Sequence, residues 1–206
     1  MKFNITIFSD YIWPFCYIGK GIVEELKKEF DMEDTWLPLE IHPDTPPEGK
    51  KLTSMFPKAT LAAMTSNLKA YGKSYGLEFN NLLLLSNSHI SLLAGEFAKE
   101  KNKFHEYHEA AFRAYFTENK DIGNINVLEE IFKALDLDIA EFKAAITAGL
   151  YEDALENTQR EASMNHIQST PTFIVNNKYA IVGAQPLESF REALLRIEKD
   201  AAAKYN

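Results

Sequence analysis

The sequence predicts an α/β fold in which a mixed four-stranded sheet is interrupted by a long helical insertion. Apolar side chains alternate along residues 3–8, as they do in a strand, a second strand follows over residues 35–41, and β-rich runs return at residues 172–175 and 178–182. Between residues 60 and 148, apolar residues recur at helical spacing alone. A chain of 206 residues with 46% apolar content can bury a sizeable core, so we expect one compact unit.

A second strand is predicted over residues 35–41. Pro38 favours an edge position for it, because proline donates no hydrogen bond to a sheet. Residues 42–49, rich in proline and ending in glycine, read as a loop and as a boundary in composition. The predicted domains are a sheet-bearing domain of residues 1–45 with 165–206, and a helical insertion domain of residues 46–164.

Polar stretches divide the insertion into several helices. The predicted breaks are residues 76–80, 118–124 and 136–138. A longer helix over residues 151–166 is expected to lead back to the sheet. There, Asn176 and Asn177 predict a tight hairpin turn, since asparagine tolerates positive φ. Apolar residues at helical spacing then predict a final amphipathic helix over residues 187–197.

Charge and composition exclude several classes of function. The chain has 22 basic and 30 acidic residues, a net charge of −8, and no basic face, which argues against nucleic acid or an anionic membrane as partner. No apolar run reaches the length of a membrane span. The N-terminus enters a strand without a signal-peptide pattern, and a single cysteine allows no internal disulfide. We therefore expect a cytoplasmic protein; the oligomeric state is open.

The start of the first helix carries the chain's only cysteine. Pro14 suits the first helical position, which places Trp13 at or beside the N-cap and Cys16 in the first turn. Unpaired backbone N–H groups and the helix dipole favour a negative charge there, so Cys16 is a candidate low-pKa thiolate. One thiol alone cannot cycle through an intramolecular disulfide.

Residues 9–20 read Ser-Asp-Tyr-Ile-Trp-Pro-Phe-Cys-Tyr-Ile-Gly-Lys. This stretch resembles the active site of DsbA-family thioredoxin-fold proteins of the FrnE type, where an Asp and two variable residues precede Cys-Pro-aromatic-Cys and Tyr-Ile-Gly. Trp13 occupies the place of the first, nucleophilic cysteine, and Cys16 keeps the place of the second, resolving one. The resemblance implies a thioredoxin-like fold with a DsbA-like helical insertion, and the protein-disulfide oxidoreductase or isomerase class.

Two further segments extend the resemblance. In the family, the proline matching Pro171 is cis and faces the active-site helix, so Thr170 and Pro171 would form a second wall that binds an extended thiol-bearing substrate. A trans loop proline is the alternative from the residues alone. The counterpart of His89 lies near the active-site helix, where an imidazole could hydrogen-bond a thiolate or substrate; a capping or solvated histidine is the alternative. Asn87 or Ser88 is the expected N-cap of that helix.

Other residues have structural interpretations. Residues 111–118 resemble a family helix that closes over the site, but we expect Phe112, Tyr115 and Phe116 to pack in the core. His105 and His108 lack further ligands at a familiar metal spacing, so both are expected at the surface and no metal site is predicted. The predicted site residues are Cys16 and Trp13 as catalytic positions, with thiol or substrate binding by Pro14, Phe15, Asn87, His89, Thr170 and Pro171.

Three functions follow from these observations. The first is an oxidoreductase-like protein impaired in dithiol exchange, because an indole at Trp13 is not a nucleophile and Cys16 is either a monothiol or a buried structural thiol. The second is a glutathione-dependent isomerase or transferase similar to 2-hydroxychromene-2-carboxylate isomerases, in which the sulfur of glutathione acts as nucleophile. The third is a non-catalytic thiol- or peptide-binding protein. No cofactor is required, glutathione is the candidate ligand, and a thiol-containing small molecule or peptide is the expected partner.

Overall fold

The computed structural model describes residues 1–203, so the last three residues of the predicted sheet-bearing domain lie outside the described part. The strands are β1 Phe3–Ser9, β2 Met32–Pro38, β3 Lys50–Lys51, β4 Leu84–Leu85, β5 Thr172–Val175 and β6 Tyr179–Val182. The helices are α1 Pro14–Leu26, α2 Lys58–Lys73, α3 His89–Glu100, α4 Phe104–Phe116, α5 Ile125–Leu135, α6 Ile139–Thr147, α7 Glu152–Met164 and α8 Leu187–Ala202. A 3-10 turn, Leu52–Ser54, precedes α2.

The central sheet has the order β2-β1-β5-β6. β1 pairs in parallel with β2 and antiparallel with β5, which confirms the mixed four-stranded sheet. β2 is an edge strand that ends at Pro38, as the proline predicted. The predicted bounds of this strand were wrong by three residues: it begins at Met32, because its parallel register with β1 runs from Phe3 opposite Met32 to Ser9 opposite Pro38.

Helices α2 to α7 all lie between residues 46 and 164, and the three predicted polar breaks fall between α2 and α3, α4 and α5, and α5 and α6. No polar break was predicted between α3 and α4 or between α6 and α7. The short pair β3 and β4 was missed, because two residues are too few to show alternation. The helical segment shares one apolar core with the sheet-bearing segment. Tyr17 of α1 stacks on Phe112 and Phe116 of α4, with ring centroids 5.2 and 5.7 Å apart, so α4 packs directly behind the start of α1.

The hairpin between β5 and β6 turns at the two asparagines, as predicted. Asn176 and Asn177 have φ of 52° and 53°, the left-handed conformation that asparagine adopts more readily than most residues. Lys178 belongs to the turn rather than to β6. The turn allows β5 and β6 to pair antiparallel. Pro171, just before β5, lies close to Gly19 of α1.

His108 is buried, so its predicted surface position was wrong, whereas His105 is exposed. The His108 ring packs against Trp36 and Phe104, at centroid distances of 4.3 and 5.0 Å. Burial lowers the pKa of His108 well below its ordinary value, which keeps the ring neutral. His108 is four residues after Phe104 and four before Phe112, so it lies on the buried face of α4, and this position outweighs the polarity of imidazole.

Two absences hold for the described part of the chain. No helix within residues 1–203 is both long and apolar enough to cross a bilayer. In the same range, no three side chains of histidine, cysteine, aspartate or glutamate come together as a metal-binding group.

Candidate functional site

The start of α1 has the local structure that its sequence predicts. Pro14 is the first helical residue, and Trp13 is the N-cap residue with an extended backbone, φ −98° and ψ 115°. The Trp13 side chain makes no capping hydrogen bond. The N–H of Cys16 donates to the Trp13 carbonyl at 2.9 Å, so this first-turn donor is already used within the turn.

Cys16 is fully buried, and the prediction of a low-pKa thiolate was wrong. Burial raises the pKa of the Cys16 thiol to about 12, and hydrogen bonding to the Asp10 backbone and to the Ser9 and Thr170 side chains offsets only part of this rise. The cost of removing a thiolate from water therefore exceeds what the helix N-terminus provides. At neutral pH the Cys16 thiol is therefore protonated and inaccessible to solvent. This state corresponds to the alternative of a buried structural thiol.

The loop before β5 forms a wall against α1. The Thr170–Pro171 peptide bond is cis, and Thr170 lies close enough for its side chain to hydrogen-bond the Cys16 sulfur. A Cβ added at Gly19 would lie 3.2 Å from Cγ of Pro171 and 3.0 Å from the Phe173 ring, so glycine permits the close approach of helix and loop. The structure thus brings together the segments around Cys16 and Pro171 that the resemblance assigned to one site.

Asp10 is a buried carboxyl group beneath this site. One oxygen accepts a hydrogen bond from the N–H of Ile12 at 3.2 Å. The other accepts from the N–H of Ile41 at 2.9 Å and from the Ser88 hydroxyl at 3.1 Å. Burial raises the pKa of Asp10 to about 7 despite these donors. In the sequence, Asp10 directly follows a buried strand, and this position is the signal for a structural carboxyl group.

Asn87 and His89 lie at the start of α3, where Ser88 occupies the N-cap position. The Asn87 side-chain oxygen accepts a hydrogen bond from the His89 N–H at 3.0 Å, and its amide donates to the Thr45 carbonyl. Both polar ends of the Asn87 side chain therefore bind neighbouring backbone.

The His89 ring nitrogens face two carboxylates rather than Cys16. Nδ1 lies 3.0 Å from a Glu40 oxygen, and Nε2 lies 3.3 Å from a Glu152 oxygen. The hydrogen bond with Glu40 is the largest of the effects that raise the pKa of His89 to about 9. His89 is therefore an imidazolium at neutral pH, which joins the segment after β2 to the start of α7.

Two hollows open beside the site. The polar cleft, of about 1010 Å³, lies between the cis-proline loop and helices α3 and α7. Its polar lining includes Glu40, His89, Glu152, Arg160 and Thr170. The apolar cavity, of about 480 Å³, lies between the start of α1 and the segment around α2. Its lining includes Trp13, Pro14, Phe15, Met55, Phe56 and Met64.

The predicted site residues can be grouped by whether they line the apolar cavity, the polar cleft or neither. Trp13, Pro14 and Phe15 line the apolar cavity, whereas Thr170 and His89 line the polar cleft. Cys16 and Asn87 are not part of either lining: one is sealed and the other is bound to backbone. The additional lining residues that sequence reasoning missed, such as Met55 and Arg160, carry no local pattern that distinguishes them from ordinary helix surface.

Comparison with known proteins gives a consistent result over nearly the whole chain. Residues 4–195 match the DSBA-like thioredoxin domain family. The uncharacterized protein YwbO of Bacillus subtilis (strain 168) is 33% identical over 200 residues, which cover 94% of this chain and 96% of YwbO. A probable DsbA oxidoreductase from Streptomyces coelicolor has a similar structure, with a TM-score of 0.86 at 24% identity over 94% of this chain and 89% of that one.

Two further solved structures share the fold at low sequence identity. A 2-hydroxychromene-2-carboxylate isomerase has a TM-score of 0.75 at 14% identity, over 97% of this chain and 98% of that one. The cytosolic disulfide reductase DsbM from Pseudomonas aeruginosa, solved with GSH, has a TM-score of 0.67 at 15% identity, over 94% of this chain and 99% of that one.

The burial of Cys16 predicts an unreactive thiol. Iodoacetamide at pH 8 should leave the native protein unlabelled, because the thiol is protonated and inaccessible, and should label one thiol per chain in guanidinium chloride. Mass spectrometry measures the added mass. The Cys16→Ala variant is the control and should stay unlabelled in both conditions. Native labelling at the rate of a free thiol would contradict the burial of this residue.

The pKa of Asp10 predicts a specific pH dependence of stability. Because this pKa is raised from 3.8 to about 7, the native state keeps a proton that the unfolded chain releases between those pH values. The stability contributed by protonated Asp10 is complete below pH 4 and is lost as pH rises through 7. With about 1.4 kcal/mol per pKa unit, the loss is a few kcal/mol.

Urea unfolding at several pH values between 4 and 8 measures this loss. Asp10→Asn removes the titration and keeps the side-chain volume, so the stability difference between wild type and variant should shrink as pH rises. A difference that stays constant over this range would show that Asp10 is ionised in the native state throughout.

Proposed function

The chain belongs to the DSBA-like thioredoxin domain family, and we propose that it is a member without dithiol–disulfide exchange that binds a thiol-bearing, peptide-like molecule beside Thr170 and Pro171. One observation carries this proposal. The only thiol of the protein is buried from solvent with a pKa of about 12, while a partly exposed indole occupies the start of the same helix.

Disulfide exchange needs a thiolate that attacks and a second thiolate that resolves the mixed disulfide. Trp13 has no sulfur, and its indole N–H is a hydrogen-bond donor only. Cys16 is protonated at neutral pH and inaccessible to a disulfide. Any sulfur chemistry in this site therefore belongs to a bound molecule, and the protein supplies its orientation.

The polar cleft supports a zwitterionic peptide as the bound molecule. It continues from Thr170 and carries both signs of charge: carboxylates at Glu40, Glu152 and Glu156, and cations at His89 and Arg160. Glutathione has two carboxylates and one ammonium group, so a lining with charges of both signs suits it, although His89 already pairs with Glu40 and Glu152. The likeness of the fold to DsbM, solved with GSH, supports the same ligand class.

A second candidate is a glutathione-dependent isomerase or transferase. The apolar cavity favours it, because a cavity lined by Trp13 and Phe15 at the start of α1 offers space for an organic substrate. The fold likeness to a 2-hydroxychromene-2-carboxylate isomerase supports this alternative. The bound thiol would then act as the nucleophile.

A cytoplasmic location is part of the proposal. A protein with a single buried thiol needs no oxidising compartment, and reduced glutathione is abundant where thiols are kept reduced. The name of the structurally similar cytosolic DsbM is in line with this location.

The position of Trp13 predicts that a cysteine there restores dithiol chemistry. Wild type should not accelerate the reduction of insulin by dithiothreitol, whereas Trp13→Cys should do so, because it creates a Cys-Pro-Phe-Cys pair at the start of α1. Insulin turbidity measures the rate. Trp13→Ser, which opens the same space without a thiol, is the matched control and should stay inactive. Activity in wild type would refute the absence of dithiol exchange.

The charges of the polar cleft predict glutathione binding. At a concentration ten times Kd, glutathione should stabilise the native state by about 1.4 kcal/mol, which raises Tm by roughly 3–6 °C for a chain of this size. Differential scanning fluorimetry measures the shift. Arg160→Glu should reduce it, since it removes a cation of the cleft for which residues 1–203 provide no ion pair, whereas Arg196→Glu on α8 should not. An unchanged Tm at 10 mM glutathione in wild type would contradict the proposed ligand.

A further inference from the structure

We propose that the apolar cavity is a binding site for a neutral, planar aromatic molecule that packs against Trp13 and carries a carbonyl or hydroxyl group toward His42 and Asn67. This inference deepens the proposed function, since it names the kind of organic molecule that the site accepts. It does not require a thiol, so its test is independent of glutathione.

The size and charge of the apolar cavity point to such a molecule. Its volume of about 480 Å³ lies within the range of roughly 300–1,000 Å³ that holds drug-sized ligands in proteins. Among residues 1–203, no aspartate, glutamate, lysine or arginine lines it. A charged group placed there would lose its water without gaining an ionic partner, so the lining favours a neutral ligand.

The walls of the cavity present aromatic and thioether groups. The Trp13 and Phe15 rings lie 6.0 Å apart and are inclined by 53°, which forms an aromatic corner at the start of α1. Phe15, Met55, Phe56 and Met64 line the cavity and are 39%, 47%, 37% and 37% exposed. Exposed apolar side chains that cluster around a hollow mark a binding surface. Methionine side chains adapt their shape to a ligand and contact aromatic rings favourably.

The floor of the cavity makes it a pocket rather than a flat interface. Leu61, Leu68 and Phe116 line it and are buried, so its depth extends into the apolar core. A second protein surface laid across the exposed methionines would leave this depth unfilled. A small planar molecule can reach it, which is why we commit to that occupant.

Two polar side chains of the lining, His42 and Asn67, are available to bind a ligand, whereas two tyrosine hydroxyls are already bound. The hydroxyls of Tyr71 and Tyr115 donate to the carbonyls of Ala184 and Leu84, at 2.7 and 2.6 Å. The exposed His42 and Asn67, by contrast, have side chains for which residues 1–203 provide no hydrogen-bond partner. An amide and an imidazole both pair with a carbonyl or a hydroxyl, so a ligand that bears one of these groups would be oriented in the cavity.

The test uses N-phenyl-1-naphthylamine, a neutral aromatic dye whose emission rises in apolar surroundings. Wild type should bind it saturably, with quenching of tryptophan emission because the dye lies beside Trp13. Met55→Asp and Met64→Asp should each weaken binding by about tenfold or more, since they place a carboxylate at the rim. Both residues are exposed, so circular dichroism should show a normal fold. Met164→Asp, an exposed methionine of α7 outside the cavity, is the matched control and should bind as wild type does.

The outcomes separate the alternatives. Equal affinity of the rim variants and wild type, or no saturable binding in wild type, would overturn the inference. A wild-type dimer in analytical ultracentrifugation that Met55→Asp converts to a monomer would identify an interface between copies and would also overturn it. Dye binding by Arg160→Glu supports the cavity, because this variant changes only the polar cleft. Dye binding by a wild type whose Tm does not respond to glutathione supports the cavity and contradicts the proposed thiol ligand. If wild type does not bind the dye but glutathione still raises its Tm, the inference about the cavity is refuted and the proposed thiol ligand is not.

Discussion

The arrangement of the site depends on one buried carboxyl group. Asp10 binds the N–H of Ile12 at the entry to α1, the N–H of Ile41 after β2, and the hydroxyl of Ser88 at the start of α3. These segments are distant in sequence, and a buried donor that loses its acceptor costs about 1–3 kcal/mol. Asp10 therefore fixes the start of α1 relative to both the sheet edge and the helical segment, at the electrostatic cost that its raised pKa records.

The chemistry of the helix start is decided by burial. Favourable interaction of a charge with a helix terminus is worth about 0.3–2 kcal/mol. The pKa of Cys16 rises from 9.0 to about 12, and three pKa units correspond to about 4 kcal/mol. The second effect exceeds the first, so a thiol that has the right place on a helix for a thiolate remains protonated. Trp13 lies above it at the position that the family resemblance gives to a nucleophile, and presents an aromatic surface instead.

Local rules predicted the features that depend on neighbouring residues. A proline that fits the first helical position located the start of α1, two asparagines located the hairpin turn, and Pro38 placed β2 at an edge. The register of β2 depends on its pairing with β1, which no local pattern contains. The state of Cys16 could not be predicted either, because the groups that bury it come from the cis-proline loop and the end of β1 as well as from α1.

Tertiary structure determines the state of two histidines. His108 lies on the apolar face of α4, and that face determines its burial more strongly than the polarity of imidazole does. His89 was correctly predicted near a helix start, but its partners Glu40 and Glu152 are 49 and 63 residues away in sequence. Its charge therefore follows from tertiary structure alone.

The short segment of residues 41–43 separates the two hollows of the site. Ile41 and Pro43 line the polar cleft, while His42 lines the apolar cavity. The N–H of Ile41 is the group that Asp10 holds, so this partition is tied to the same carboxyl group that fixes the start of α1. The polar cleft beside Thr170 and the apolar cavity beside Trp13 thus share this short segment as a common border.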